Sequence, residues 1–256
     1  GSWRAPMSAM ILAAHQPHYL PWLGYLDKMA KADVFVVMDD LQYERENFQN
    51  RQRLKVNNGP TWLTVPLERG TQHDRICDKR ITDSGCTRDH KEHWQRRTWQ
   101  TLRTHYGKAP YWSTYAAELE DVFTRPWEKL LDLDLHMIEL ARRWLGITVP
   151  LLRSSSLELV GQKTDRIIDM CKKVGARVYL SGRGGSSEYL DVPALEAAGI
   201  SVMWQSFTHP QYAQRYGQLG FVPYLGFLDL VLNCGPDSRR VLFGEPVARP
   251  AAGASP

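Results

Sequence analysis

The stretch that decides the fold is Met10–Asp40, which reads MILAAHQPHYLPWLGYLDKMAKADVFVVMDD. The apolar run Met10–Ala14 predicts a buried strand. Leu20–Ala32 has apolar residues near helical spacing, and Pro21 suits the first turn of a helix. The β-branched segment 33–40 predicts a second strand. Strand, helix and strand in this order form a β–α–β unit, which builds parallel sheets that bind ligands at the carboxyl ends of their strands.

The rest of the chain continues this alternation after a hairpin and a helical segment. Residues 48–67 predict a β-hairpin because two strand-like runs flank the turn signal NNGP, and 78–83 predict a short strand. Helices are expected over 87–106 and over 111–145, the second broken near Pro126. The second half of the chain predicts strands at 147–155, 176–182 and 200–207 and helices at 163–175, 192–199 and 227–235.

These elements predict one α/β domain over residues 7–245. Its core is expected to be Rossmann-like, with three layers around a parallel sheet, a β-hairpin excursion and a helical insertion at about 87–145. Residues 1–6 are interpreted as an expression-tag remnant or a poorly ordered start. The Pro/Ala-rich segment 246–256 predicts a disordered tail.

The composition limits the classes of partner. Of the 256 residues, 43% are hydrophobic and 23% are charged, as in ordinary globular proteins. The net charge is +4 without a Lys/Arg block, so we expect neither nucleic acid nor a membrane as a partner. The four cysteines, at 77, 86, 171 and 234, form no CxxC pair and no zinc-ligand spacing. With no signal peptide and no apolar stretch of about 18 residues, we predict a cytoplasmic protein. We also expect no metal, because acyl transfer from a thioester to an amine, the reaction favoured below, needs only a base and an oxyanion donor, and we expect no other cofactor.

Polar and aromatic residues lie where the first strand leads into the first helix. His15 and His18 have an H-x-x-H spacing. Class I nucleotidyl transferases and related adenylate-forming folds place a His-x-Gly-His motif at this position, where the imidazoles donate to phosphates. Here Pro17 replaces the glycine, and no phosphate loop of the Lys-Met-Ser-Lys-Ser type follows, so a general-base role for His15 stays open beside that one. The expected substrate contacts in this segment are Gln16, His18, Tyr19 and Trp22.

A second polar segment, DDLQYERENFQNRQRLK at 39–55, begins where the second strand ends. Asp39 or Asp40 could serve as a base or bind a substrate amine, and the amides and arginines after them suit a polyhydroxyl or amino-sugar ligand. Turn and capping chemistry is the alternative explanation for many of these residues. Alternation along a strand predicts that one of the two aspartates points away from the crevice. The expected substrate contacts are Gln42, Asn47, Asn50 and Arg51.

Two further segments follow strands of the second half. SGRGGSSEYL, at 181–190, offers backbone N–H groups and an arginine to a phosphate, sulfate or carboxylate, or else is a flexible loop at a strand end. WQSFTHPQYAQRYG, at 204–217, carries His209, a further candidate acid–base residue. Cys234 is disfavoured as a nucleophile paired with a histidine, because a helix C-terminus raises the pKa of a thiol. The expected binding residues are Gly182, Arg183, Ser186, Ser187, Tyr189 and Gln205.

Several of these segments together resemble the WbqC-like protein family. The resemblance rests on HQPHYLPWLGYLDKMAKADVFVVMDDLQYERENFQNRQRLK, WLTVPL, YLSG with YLD, and ISVMWQSFTHPQY, in this order, and extends from about Met10 to Ser238. It implies a bacterial origin and a role in the assembly of surface polysaccharides or natural products. It implies no agreed catalytic set, so no residue role is taken from it.

Three functions remain open at this point. The favoured one is a transferase that moves an acyl or aminoacyl group from a thioester, on an acyl-carrier protein or coenzyme A, to a small-molecule amine. In it His15 is the general base, and Asp39 or Asp40 orients that base or holds the amine. The alternative is an ATP- and Mg²⁺-dependent nucleotidylyl or adenylyl transferase in which His15, His18 and the 182–187 loop hold phosphates. The third is a non-catalytic binding module in a glycan-assembly complex.

Overall fold

The computed structural model describes residues 9–82, 93–184 and 188–244. In this part of the chain, a five-stranded parallel sheet carries helices on both faces, and a separate hairpin has two antiparallel strands. In chain order the elements are β1 (Ile11–His15), α1 (Leu23–Ala30), β2 (Val34–Val37), β3 (Arg51–Val56), β4 (Gly59–Thr64), α2 (Trp94–Tyr106), α3 (Trp112–Thr124), α4 (Leu130–Leu145), β5 (Leu151–Arg153), α5 (Thr164–Val174), β6 (Val178–Ser181), α6 (Val192–Ala197), β7 (Ser201–Trp204), α7 (Phe227–Cys234) and α8 (Ser238–Phe243).

The central strand of the parallel sheet is β1, because the strand order is β5-β2-β1-β6-β7. Leu12–His15 of β1 pairs with Val34–Val37 of β2, and Ile11–Ala13 pairs with Val178–Leu180 of β6. An all-parallel sheet has to be covered on both faces, which explains why its inner strands are almost continuously apolar. The predicted α/β class with a parallel sheet is confirmed.

Two cores of unequal size cover this sheet. Ala13 faces the larger core, which includes apolar residues of α1, α2, α3, α4, α7 and α8. Leu12 and Ala14 face the smaller core, which includes residues of α5 and α6. Helices from the predicted insertion add Leu102 and Ile138 to the larger core, so these helices share the sheet's core and have none of their own.

The hairpin follows its sequence signal. β3 and β4 pair in antiparallel register around Asn57 and Asn58, and Gly59 has φ +120°, a conformation that glycine adopts without a Cβ penalty. The C-cap predicted for α5 is also present, since Gly175 ends that helix at φ +85°. Of the first predicted insertion helix, 87–92 lies outside the described residues.

Some predicted elements differ from the observed ones. The strand expected at 78–83 is wrong: Ile76–Asp78 forms a 3-10 helix, and Arg80 and Ile81 make only isolated bridges, each to a different partner. The predicted helix 20–32 begins three residues late, at Leu23, because Leu20 adopts φ +46° and the next residues are extended. The short helix α8 was not predicted.

A buried carboxylate ties β2 to β5 at the carboxyl edge of the sheet. Asp39 is fully buried and accepts hydrogen bonds from Arg153 Nε at 3.0 Å, Ser154 Oγ at 3.1 Å, Ser155 N at 3.0 Å and Ser155 Oγ at 2.6 Å. Burial pushes the pKa of Asp39 up, but the hydrogen bonds from Ser155 and the Arg153 guanidinium outweigh it and hold the pKa below its ordinary value.

The neighbouring Asp40 faces the same side. It accepts hydrogen bonds from Ser154 Oγ at 2.5 Å and from Arg166 Nη2 at 2.9 Å. The prediction that Asp39 and Asp40 point in opposite directions is therefore wrong. The physical reason is that β2 ends at Val37, so both aspartates lie in a turn where strand alternation no longer applies.

The substitution Asp39→Asn should lower the free energy of unfolding by about 2 kcal/mol at pH 7, because charge-assisted hydrogen bonds are lost. The difference from wild type should shrink as the pH falls through the acid range, because a lowered carboxyl pKa stabilises the folded state only above the unfolded pKa. Urea unfolding at several pH values measures this. Glu120→Gln, on the exposed face of α3, is the control. Equal stability of Asp39→Asn and wild type at pH 7 would contradict the network's role.

Candidate functional site

A cavity of about 410 Å³ opens at the carboxyl ends of β1, β6 and β7. His15 ends β1, Gly182 follows β6, Gln205 follows β7, and Lys28 comes from α1. This is the edge at which parallel α/β sheets bind ligands. We call it the His15 cavity, and it is lined by His15, Trp22, Gly24, Tyr25, Lys28, Gly182, Arg183, Gly184, Gln205, Phe207, His209 and Tyr224.

His15 brings a neutral imidazole to this cavity. Its Nδ1 lies 3.2 Å from the carbonyl oxygen of Gln16, and its ring packs edge-on against His18 and Tyr25 at 4.6 and 4.8 Å between centroids. Burial lowers the pKa of His15 well below its ordinary value, with smaller contributions from the Lys28 and His18 charges, and the Gln16 carbonyl offsets only part of this. A proton on Nδ1 satisfies the Gln16 carbonyl, which leaves Nε2 as a proton acceptor.

Lys28 is the residue that the sequence analysis missed. It is only 6% exposed, and burial lowers the pKa of its ammonium to about 8. Every residue from Leu23 to Met29 is buried, so α1 cannot turn its lysine to solvent. Sequence spacing places Lys28 on the same helix face as Tyr25 and Gly24, three and four residues before it, but it does not show that this face lines a cavity.

Gln205 and Arg183 close one wall of the cavity. Gln205 Nε2 donates to the Gly24 carbonyl and to Asp27 Oδ2, each at 2.9 Å, and so fastens the end of β7 to α1. Arg183 Nε donates to the Gln205 carbonyl at 3.0 Å, which holds an exposed guanidinium at the cavity mouth. The amide of Gln205 is thus used within the protein, whereas the Nη groups of Arg183 make no hydrogen bond to the residues that the structure describes.

His209 lines the cavity with both ring nitrogens engaged. Nδ1 lies 2.7 Å from the Pro210 carbonyl, and Nε2 accepts a hydrogen bond from the Tyr224 amide at 3.1 Å. Burial lowers the pKa of His209, which keeps the ring neutral. Its geometry suits a fixed wall of the cavity better than the acid–base role considered from the sequence.

His18 and Tyr19 were expected to contact substrate, but both are buried behind the His15 cavity. His18 is 4% exposed, and burial followed by the Lys28 charge lowers its pKa to about 3. Tyr19 is fully buried, and its amide donates to the Phe48 carbonyl at 2.9 Å. The cause is local: the chain turns inward after Pro17, and neither side chain is among the residues that line the cavity.

Gln16 links this cavity to the hairpin region. Its Oε1 accepts a hydrogen bond from Gln49 Nε2 at 2.8 Å, and its backbone carbonyl accepts one from Tyr25 Oη at 2.9 Å. Gln49 is fully buried and accepts a hydrogen bond from the Glu44 amide at 3.1 Å. Gln16 is therefore a structural connection between two parts of the sheet edge.

Three of the predicted substrate contacts line a second, wider cleft of about 950 Å³. Gln42 and Arg51 lie there with the mostly exposed loops 42–46 and 67–72, and Arg51 stacks over Trp62 at 4.1 Å. Asn50, also in the lining, is held by Tyr43 Oη at 3.0 Å and by the Val65 carbonyl at 2.9 Å. The remaining residue, Asn47, makes turn contacts with Glu44 and the Phe48 amide.

The two aspartates expected to face His15 instead face β5. Asp39 and Asp40 are paired with the serines and arginines described above, and neither is among the residues that line the His15 cavity. The hypothesis that one of them orients His15 is therefore not supported by the geometry. β1 separates the two groups, because β2 and β6 lie on its opposite sides.

The glycine loop is only partly described. Gly182 and Arg183 line the cavity, Tyr189 is 72% exposed, and Ser186 and Ser187 lie outside the described residues.

The described residues contain no group of three or more His, Cys, Asp or Glu side chains that could hold a metal ion. They also contain no helix long and apolar enough to cross a membrane. Burial, with nearby carboxylates, raises the pKa of the Cys234 thiol to about 11, as expected for an unreactive cysteine.

The fold and the cavity define a parallel-sheet α/β protein with a candidate site at the carboxyl edge of its sheet. The sequence pattern of the WbqC-like protein family matches residues 16–241, and the chain belongs to this family. The uncharacterized protein Rv1507c of Mycobacterium tuberculosis (strain ATCC 25618 / H37Rv) is 30% identical over 230 residues, which cover 89% of this chain and 95% of that protein. No solved structure matches the chain.

The substitution Gly24→Ala should destabilise the protein by about 1–3 kcal/mol, because a Cβ there would lie 2.1 Å from the Trp22 indole and force it out of the cavity wall. Helix propensity alone would predict the opposite sign. Urea unfolding measures the change. Gly217→Ala is the matched control, since a Cβ at that position meets no atom within 4 Å. A stabilised Gly24→Ala variant would show that Trp22 does not pack over Gly24.

The substitution Lys28→Met should raise the free energy of unfolding at pH 7 by about 2–3 kcal/mol, because it removes a buried ammonium whose pKa is lowered from 10.5 to about 8. From pH 8 to 10.5 the wild type should recover this difference, because the unfolded state then binds more protons than the folded state. Guanidinium unfolding across this range is the measurement. Lys172→Met, at an exposed position of α5, controls for loss of a lysine. A pH-independent difference would contradict the burial of Lys28.

Proposed function

We propose that this protein is a transferase of bacterial polysaccharide or natural-product biosynthesis that moves an acyl or aminoacyl group from a thioester to an amine. The observation that carries the proposal is the neutral His15 imidazole in a ligand-sized cavity that also holds the cations Lys28 and Arg183. Amine acylation needs a proton acceptor and a positive field for the developing oxyanion, and these residues supply both.

The proposed reaction assigns one step to each group. A neutral amine attacks the thioester carbonyl, so that the C–N bond forms and a tetrahedral oxyanion develops. His15 Nε2 takes the proton of the attacking nitrogen, the C–S bond breaks, and the proton passes to the leaving thiolate. Arg183 stabilises the oxyanion, and the positive charges of Lys28 and Arg183 disfavour a protonated amine in the cavity, which keeps the nucleophile reactive.

The geometry of the His15 cavity also bears on the two alternative functions, a nucleotidylyl or adenylyl transferase and a binding module. A nucleotidylyl or adenylyl transferase would use His15 and His18 together on phosphates, but His18 is buried behind the cavity and its pKa of about 3 keeps it uncharged. This weighs against that reading. A non-catalytic binding module has no need for a neutral imidazole beside a buried lysine, although tight binding without turnover would favour it.

The proposal also includes the two substrates and the cellular compartment of the reaction. The thioester donor is an acyl-carrier protein or coenzyme A, the acceptor is a small-molecule amine, and the reaction takes place in the cytoplasm, where such thioesters are made. The free thiols of Cys77, Cys171 and Cys234 fit a reducing compartment. Nucleic acids and membranes have no part in the proposed reaction, and neither does a metal.

The substitution His15→Gln should lower kcat at least about 100-fold, because the proton acceptor is lost while the side chain stays polar and similar in size. The assay measures free thiol released from acetyl and aminoacyl thioesters of coenzyme A and of an acyl-carrier protein, in the presence of amino sugars, diamines and amino acids. His73→Gln is the control, since His73 is an exposed histidine outside the cavity.

A parallel arm supplies ATP and Mg²⁺ with the same acceptors and measures pyrophosphate. Amine-dependent thiol release that His15→Gln abolishes and His73→Gln preserves would support acyl transfer. Pyrophosphate release without thiol release would replace the proposal by nucleotidylyl transfer. Saturable binding of an acceptor with neither product would replace it by the binding module.

A further inference from the structure

The His15 cavity contains a positive charge that the described part of the protein does not neutralise. Its lining includes Lys28 and Arg183 but no acidic residue among the described positions. Asp27, next to Lys28 in α1, is not among the lining residues and is already paired: it lies 2.9 Å from Lys31 Nζ and accepts a hydrogen bond from Gln205 Nε2 at 2.9 Å. Lys28 itself has no hydrogen-bond or ion-pair partner among the described residues.

A buried ammonium without a counterion destabilises the folded protein, so its presence in a cavity indicates a ligand that brings the counterion. Lys28 is 6% exposed, which means that the counterion has to enter the cavity on a small molecule. The phosphates of a pantetheine donor lie at the far end of the arm from its thioester. With the thioester carbonyl at His15, those phosphates lie outside the cavity and cannot pair with Lys28.

We infer that the small-molecule acceptor carries a carboxylate that pairs with Lys28, as in an amino acid or another amino-carboxylate compound. The identity of this compound as an acceptor rests on the proposed function, whereas the carboxylate rests on the cavity alone. Arg183, whose Nε is held by the Gln205 carbonyl, then remains to stabilise the oxyanion.

Carboxylate binding would also activate the base. The Lys28 charge is one of the causes that lower the pKa of His15. A carboxylate paired with Lys28 cancels much of this charge, so the pKa of His15 rises when the acceptor is bound. His15 thus becomes a stronger base only with the amine in place, which limits hydrolysis of the thioester in the empty site.

Several groups around Lys28 bear on its titration. His15 is the last residue of β1, and His18 lies three residues after it. Tyr25 and Asp27 lie in α1 together with Lys28. The other groups, which line the cavity, are Arg183, His209 and Tyr224. Both His15 and His18 have lowered pKa values and stay neutral at pH 7, and Asp27 is paired with Lys31. Above pH 7 the ammonium of Lys28 is therefore the group that governs carboxylate affinity in the cavity.

The test is an NMR titration of the full chain with acetate, and with acetamide as a neutral control of the same shape, between pH 6.5 and 9.5. Acetate should bind at least about ten times more tightly than acetamide at pH 7, because only acetate pairs with the ammonium. Above pH 8 its affinity should fall towards ten-fold per pH unit as Lys28 loses its proton. Acetate should also raise the pKa of the His15 imidazole.

Lys28→Met should weaken acetate binding at least about ten-fold and remove its pH dependence above pH 8, and Lys172→Met should leave acetate binding unchanged. If Lys28→Met does not fold, the pH dependence of acetate binding to the wild-type protein still tests the inference, because that series needs no variant. Equal binding of acetate and acetamide, or acetate binding that does not weaken above pH 8, would overturn the inference. Acetate binding by a protein without acyl transfer would overturn the proposed function and leave the carboxylate site. Acyl transfer to amines at a rate that does not depend on an acceptor carboxylate would overturn the carboxylate inference and leave the proposed function.

Discussion

The position of β1 in the middle of the sheet is the constraint on which the site depends. Because β2 and β6 flank it, the residue that ends β1, His15, can reach only the space in front of the sheet edge. The chain beyond His15 then turns inward, and the Tyr19 amide is fixed to the Phe48 carbonyl at 2.9 Å. This turn buries His18 and leaves a single histidine of the pair at the cavity.

The two sides of β1 differ in how their charges are compensated. Towards β5, Asp39 and Asp40 are paired with Arg153 and Arg166, and serine hydroxyls complete the network. Towards β6, Lys28 is buried without a carboxylate partner among the described residues. A compensated network stabilises a sheet edge, whereas an uncompensated buried charge is typical of a place where a ligand completes the electrostatics.

Much of the fold, and half of the residues that line the His15 cavity, could be predicted from local sequence patterns. Residues that end or follow parallel strands meet at one edge, so His15, Gly182 and Gln205 could be grouped from the sequence. Lys28 could not, because a helix pattern does not tell which of its faces meets a cavity. The role of Asp39 was hidden for another reason: its partner Arg153 lies 114 residues away in sequence, and only the β2–β5 pairing brings them together.

The most direct test of this account is the ¹⁵N NMR spectrum of the His15 imidazole in the ligand-free protein as the pH is lowered. The account predicts a neutral ring with its proton on Nδ1, hydrogen-bonded to the Gln16 carbonyl, and a pKa well below that of a free histidine. A ring that carries its proton on Nε2, or one that titrates near pH 6.5, would contradict it. In either case His15 would not present a free proton acceptor to the cavity.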